Sequence, residues 1–313
     1  MAVTEQGIDP ITFEVVRNKL QAITEEQAIT LKSVSGSPVV TEATDFNNGL
    51  YLADGSIVTM GPQVLFHTGT MSSVIRSINE NFADNPGIRE GDMFILNDPY
   101  RGAIHQPDVS IVAPVFHHGR HVAWAGSCAH QLDVGGMSFG SWAIGATEIQ
   151  QEAMLLPGIR LVEGGVLRQD LWQMIMGMTR LPHVLGLDLK AMIAANNVAV
   201  RRLVELMDRY GRATVETIMH AEIASSERQL RQVLSALPDA VVRARDYIEH
   251  DGHENVLYQV CVTATKTGDR LTLDMTGTSP QAPGFINCTA SGMRGAADRK
   301  STRLNSSHGK LSR

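Results

Sequence analysis

The sequence predicts an α+β fold, with mixed or antiparallel sheets built from hairpins and one long helical segment. Two hairpin signatures fall within residues 50–128, and a helical periodicity runs over residues 187–237. Hairpins and helices follow one another without the regular strand–helix alternation of a doubly wound sheet.

Asp9-Pro10 precedes Ile11, Val15, Val16, Leu20, Ile23 and Leu31, so the first helix takes Asp9 as N-cap and Pro10 at its first position. Residues 50–60 read as a hairpin turning at Asp54-Gly55, a pair suited to positive φ angles. A helix is expected over 70–82 and a short buried strand over 91–96. Strands 109–116 and 121–128 form a second hairpin around His117-His118-Gly119-Arg120. Residues 135–145 make a glycine-rich loop. The long helical stretch breaks near Tyr210-Gly211, and a β region closes the chain with 256–265 and 271–275 joined by the turn 266–270. This gives an N-terminal α+β domain over 1–186 and a helical segment leading into a β region over 187–297.

The chain has 313 residues, 43% of them hydrophobic and 19% charged, enough to bury a substantial core. A net charge of −6 with no long Lys/Arg block makes nucleic acid and anionic membrane poor partners. The first residues lack the pattern of a signal peptide, and no apolar stretch approaches the roughly 18–20 residues a spanning helix needs. The expected compartment is the cytoplasm. Cys128, Cys261 and Cys288 are far apart and form no CxxC pair, which argues against a disulfide framework or a cysteine zinc site.

Residues 298–313 break with what precedes them. They form a Ser/Asn-rich string with five Lys/Arg and one Asp, and they match, codon for codon over 298–308, the translation of a common sequencing adapter. The expectation is that this stretch is not native and forms an extended appendage off the core. Without it, 22 basic residues stand against 32 acidic ones.

The residues best suited to chemistry lie in 97–108 and 129–136. His105, Asp108 and His130 combine imidazole and carboxylate, a donor set suited to Mn, Fe or Zn. Pairing His117 with Arg120 gathers all three at the open end of one hairpin. Strict register, however, sets Asp108 opposite Ala129, so a bulge or the bend at Pro107 has to bring Asp108 and His130 to one face. His67 is a further, weaker candidate ligand. His117, His118 and His121, at the turn tip, are expected to be solvated. Cys128 is expected to be a small buried hydrophobe, and Met174, Met176 and Met178 core packing. Asp133 is a candidate for orienting a ligand imidazole. Asp98 and Arg101 are candidates for positioning substrate, the alternative being a turn-stabilising Asp and a solvated Arg. No GxGxxG or GxxxxGK[ST] pattern occurs.

Asp45-Phe46, Ala53-Asp54-Gly55, His67-Thr-Gly-Thr-Met71, Asn97-Asp-Pro-Tyr-Arg-Gly102, His105-Gln-Pro-Asp108, Ala129-His130, Asp133-Val-Gly-Gly136 and Thr276-Gly-Thr-Ser-Pro-Gln281 follow the order and spacing of the hydantoinase B/oxoprolinase family. That family also includes the α-subunits of acetone-type carboxylases. The resemblance runs from about Asp9 to Ala297 and implies an N-terminal part of a longer B-type subunit. It implies a divalent metal on His105, Asp108 and His130, with ATP and Mg handled by a separate A-type subunit. The implied substrate is a small cyclic amide, in a hydantoinase or 5-oxoprolinase reaction. Two other readings stand beside it: a subunit of an acetone- or aryl-ketone-type carboxylase, and a scaffold subunit with a structural metal. His130-Gln131 and Gln151-Glu152-Ala153 depart from the His-His and Gln-Glu-Gly of many members, the first towards the carboxylases.

Overall fold

Asp9 caps the first helix: its carboxylate accepts from the backbone N–H of Ile11 at 3.2 Å and of Thr12 at 2.8 Å. From there the computed structural model describes residues 7–305. The elements are α1 (Pro10–Val34), α2 (Pro38–Thr41), β1 (Phe46–Leu52), β2 (Ile57–Met60), α3 (Phe66–Phe82), β3 (Met93–Leu96), β4 (Asp108–His117) and β5 (Arg120–His130). There follow α4 (Ile149–Glu152), β6 (Pro157–Glu163), β7 (Val166–Leu167), α5 (Gln169–Met178), α6 (Pro182–Tyr210) and α7 (Arg212–Ser235). Last come β8 (Ala240–Ile248), β9 (Tyr258–Thr267), β10 (Arg270–Asp274) and α8 (Ala290–Asn305).

The fold is α+β. A seven-stranded antiparallel sheet has the order β2-β1-β5-β4-β3-β6-β7, and a separate three-stranded sheet the order β10-β9-β8. Alternation along β4 sets the layers. Val109, Ile111, Ala113 and Val115 face α1 and α6, whereas Val112 joins Phe94, Trp124 and the α3 residues Met71, Val74 and Ile75 on the other side. One polar network threads the first layer. Gln27 on α1 donates to the Gly126 carbonyl and to Asn196 on α6, Ser127 donates to Asn196, and Asn196 donates to the Ile111 carbonyl. The network pairs these buried amides and the hydroxyl with one another, leaving only Gln27 Oε1 among them without a partner.

Several expectations are corrected. Of Asp54-Gly55, only Gly55 takes a positive φ, 85°, and Asp54 instead accepts from the Ser56 N–H. Helix α3 starts at Phe66, which puts His67 on a helix. Helix α6 starts at Pro182, with proline pre-set at its first turn, and runs unbroken past residue 187. Strands β6 and β8 have no period-2 apolar signature: β6 opens on a proline, and β8 is exposed along its whole length. Met174 and Met178 are exposed, and only Met176 packs against the core. Helix α8 carries residues 298–305, where the sequence suggests an extended chain. Arg, Lys and Leu are good helix formers and continue a helix already nucleated at Ala290. Residues 306–313 lie outside the described residues. No described helix is long and apolar enough to cross a membrane.

Candidate metal centre

The hairpin of β4 and β5 turns at His118 and Gly119, with φ of 50° and 75°. His117 pairs with Arg120 and Phe116 with His121, but Val115 pairs with Ala123, so one extra residue sits in β5. This bulge shifts every later pair by one. Asp108 therefore stands directly opposite His130, not Ala129, and both side chains share the α3 face. The ring of His121 holds the bulge, its Nε2 lying 3.0 Å from the Ala123 carbonyl oxygen.

His105 comes from the loop between β3 and β4. That loop pairs with no strand, and buried amides satisfy its backbone instead. Asn97 donates to the Gln106 and Met154 carbonyls at 2.8 and 2.9 Å and accepts from the Leu156 N–H, and Gln106 donates to the Ala153 carbonyl at 2.8 Å. Gly102 lies so close to α3 that a Cβ there would sit 2.4 Å from the Val74 nitrogen. Sequence reading passes over Asn97 and Gln106, whose signal is two amides in a loop with no other means of pairing its backbone.

Asp108 is the hub. Its Oδ1 lies 3.2 Å from His130 Nδ1, and its Oδ2 lies 3.0 Å from His105 Nε2 and 3.8 Å from His67 Nδ1. The His105 and His130 ring centroids are 5.0 Å apart. One donor atom each from His105, Asp108 and His130 fall within 4.8 Å of one another. The Asp108 side chain is 2% exposed, against 22% for His130 and 39% for His105, so the cluster opens to solvent beside His105. His67 packs beneath it, with Nε2 3.2 Å from Asp45 Oδ1 and Nδ1 3.4 Å from Cys128 Sγ.

The electrostatics centre on the same carboxylate. Burial by itself would raise Asp108, but the three surrounding imidazoles hold its carboxyl well below the ordinary range. Burial would lower His67 and His105. Cys128 and Asp108 outweigh it at His67, and Asp108 outweighs it at His105, so both are held above the usual histidine value. Glu152 lies within electrostatic reach of His105, and partial burial raises its carboxyl.

The cluster fits a divalent cation on one specific ground. Asp108 Oδ2 is buried and ion-pairs with His105 Nε2 at 3.0 Å, but no aligned hydrogen bond reaches it. A buried anionic oxygen without an aligned hydrogen bond favours a cation beside it, whether an imidazolium or a metal ion. Two imidazoles and a carboxylate suit Mn, Fe or Zn better than Mg or Ca.

The other candidates are placed differently. Asp133 touches no ring of the cluster: it accepts from Gly135, Gly140, Thr179 and Arg180 and holds the glycine-rich loop to the start of α6. Asp98 caps the short turn at Pro99–Arg101, accepting from the Tyr100 N–H, and its Oδ2 lies 3.4 Å from Arg101 Nε. Arg101 also donates to the Pro157 carbonyl, so this pair is tied into the loop rather than into the cluster. Cys128 is buried as expected, but in contact with His67. His117 is buried rather than solvated, because α6 covers it with Asp208.

The sequence matches the Hydantoinase B/oxoprolinase family over residues 9–298. The B subunit of a putative D-/L-hydantoinase from Pseudomonas sp. (strain NS671) is 30% identical over 88% of this chain and 48% of its own length. The acetophenone carboxylase delta subunit of Aromatoleum aromaticum is 29% identical over 90% of this chain and 41% of its own. The crystal structure of ATP-dependent caprolactamase from Pseudomonas jessenii superposes with a TM-score of 0.87 at 29% identity, covering 93% of this chain and 50% of that one. A nucleotide-free acetone carboxylase structure gives a TM-score of 0.90 over 94% of this chain and 41% of that one, and at 21% identity it speaks for the fold alone. The chain spans about half the length of relatives such as the hydantoinase and caprolactamase subunits, and 24% of the plant 5-oxoprolinase it matches. It belongs to the hydantoinase B/oxoprolinase family.

Proposed function

We propose that this chain is part of the B-type subunit of an ATP-dependent hydrolase of the hydantoinase/5-oxoprolinase kind, opening a small cyclic amide at the His105–Asp108–His130 centre. ATP and Mg are handled by an A-type partner subunit. The observation that carries the reading is the buried Oδ2 of Asp108, which faces two imidazoles and receives no aligned hydrogen bond. His105, Asp108 and His130 would hold a divalent cation of the Mn, Fe or Zn class. Such an ion supplies Lewis acidity toward a carbonyl or phosphoryl oxygen, or activates water.

The chain's own residues do the rest. Asp108 is fixed as the first residue of β4, and His67, wedged between Asp45 and Cys128, keeps water from its inner oxygen. Substrate enters from the His105 side, the exposed edge of the cluster. Asp98 and Arg101 position it from the loop that delivers His105. Asp133 acts from a distance, by holding the glycine-rich loop. The hydantoinase and caprolactamase relatives support ring-amide hydrolysis, and the acetophenone carboxylase relative keeps carboxylation as the alternative.

The test uses the full-length subunit with its A-type partner. His130→Ala is expected to keep its circular dichroism spectrum and to lose bound metal by elemental analysis, with turnover falling at least 100-fold, about the upper range for a disturbed metal shell. Unchanged metal and turnover in H130A would sink the proposal, as would vigorous ATP hydrolysis by the purified B chain alone. A strict bicarbonate requirement would move the assignment to the carboxylases, and unfolding of every ligand variant to a structural metal.

A further inference from the structure

The β4–β5 hairpin carries a second cluster at its other end. His117, the last residue of β4, is buried, and its Nε2 lies 3.0 Å from Oδ1 of Asp208 on α6. His118 follows in the turn at φ 50°, and its exposed ring brings Nε2 to 3.9 Å from the same oxygen. The two ring centroids are 4.2 Å apart in an edge-to-face arrangement, and one donor atom from each of the three side chains lies within 4.8 Å of the others. The cluster borders a cleft of about 350 Å³ that Glu90 also lines, with no Lys or Arg among its described lining residues. His117 lies nine residue steps along β4 from Asp108, roughly 30 Å at about 3.3 Å per residue, so the two clusters share no group.

Two imidazoles on one carboxylate oxygen are more than an ion pair needs. The turn places two nitrogen donors and one oxygen on the rim of an acidic cleft, in a fan that opens to water. Cation ligand distances of about 2.0–2.2 Å require the donors to close in slightly. His118, exposed and on a turn, can make most of that movement. We propose that His117, His118 and Asp208 form a second cation site, for a late first-row divalent ion such as Zn²⁺, which clamps the hairpin tip to the C-terminal turns of α6. Water from the cleft completes the coordination. Imidazole donors favour Zn²⁺ over Mg²⁺. This site stands independently of the catalytic proposal.

The test titrates ZnCl₂ into the full chain after chelator treatment, read by calorimetry and thermal melting, for wild type, His118→Asn, Asp208→Asn and His130→Ala. Asparagine tolerates the left-handed conformation at 118 and so preserves the turn. Wild type is expected to bind one Zn²⁺ more than H118N and to gain melting temperature with it. H118N and D208N lose that equivalent or weaken it by more than about tenfold, while H130A keeps it. Mg²⁺ does not replace Zn²⁺. Equal stoichiometry and affinity in wild type and H118N would overturn the proposal. H118N is the deciding variant, because residue 118 is exposed and its variant folds whether or not D208N does.

Discussion

Asp133 and Asp108 are both buried carboxylates, and they are satisfied in opposite ways. Asp133 accepts from Gly135 N, Gly140 N, Thr179 Oγ1, Arg180 N and Arg180 Nη1 at 2.9–3.2 Å. Asp108 accepts one hydrogen bond, from His130, and its inner oxygen meets His105 Nε2 at 3.0 Å as an ion pair without an aligned hydrogen bond. A carboxylate saturated by backbone and guanidinium donors holds structure, whereas one faced by imidazoles keeps a lone pair available. Burial would raise Asp133, but the donors from Arg180, Gly135 and Gly140 hold it below the ordinary value. A depressed carboxyl stabilises the fold above the unfolded pKa of about 3.9, and that contribution is lost as pH falls through the folded value. Asp133→Asn turns an acceptor into a donor facing donors, and is expected to cost about 1–3 kcal/mol at pH 7. In urea melts the gap to wild type should narrow as pH drops below about 4. A gap that stays constant down to pH 3 would deny Asp133 this role.

At the scale of elements, α1, α6 and the central strands are joined by Gln27, Ser127 and Asn196 as well as by apolar packing. Asn196→Ala removes the acceptor that Gln27 and Ser127 share and the donor to the Ile111 carbonyl. It is expected to lower stability by about 1–3 kcal/mol, with metal content per folded molecule unchanged. Loss of metal together with normal stability would tie this network to the centre instead. The elements themselves are readable wherever local chemistry decides them. Asp9-Pro10 marks the start of α1, and His118-Gly119 the central hairpin. What escapes depends on the rest of the molecule. The bulge at Val115–Phe116 leaves no mark in the apolar pattern, so counting back from the turn puts Asp108 opposite Ala129. His67 looks like a lone histidine because α3, which brings it down onto Cys128, starts earlier than its periodicity suggests. Asp133 sits in the motif beside His130, but sequence proximity says nothing about which way a loop carboxylate turns. His105, Asp108 and His130 are legible as a set because ligand types crowd one hairpin end.

At the scale of the whole molecule, the small sheet of β8, β9 and β10 is out of keeping with the rest. Val241, Val242, Tyr247, Leu271 and Leu273 on it are exposed, as are Val256 and Leu257 just before β9. Apolar groups gathered in this way mark a surface that meets something else. The family match stops at residue 298, where the basic Ser/Asn-rich string begins. Helix α8 packs against α3 through residues before that point, with Gly295 closing on the Phe66 carbonyl, so its docking does not need the string. We infer that 298–313 derive from an adapter and that native sequence continuing from Ala297 covers the small sheet. Re-sequencing the locus should replace these sixteen codons with an open reading frame approaching the length of the curated relatives. The 313-residue chain should bind an apolar dye such as ANS and self-associate, and the extended chain should do neither. Recovery of the same sixteen codons from an independent clone would end the idea. An extended chain that still binds the dye would leave the small sheet facing a partner subunit instead.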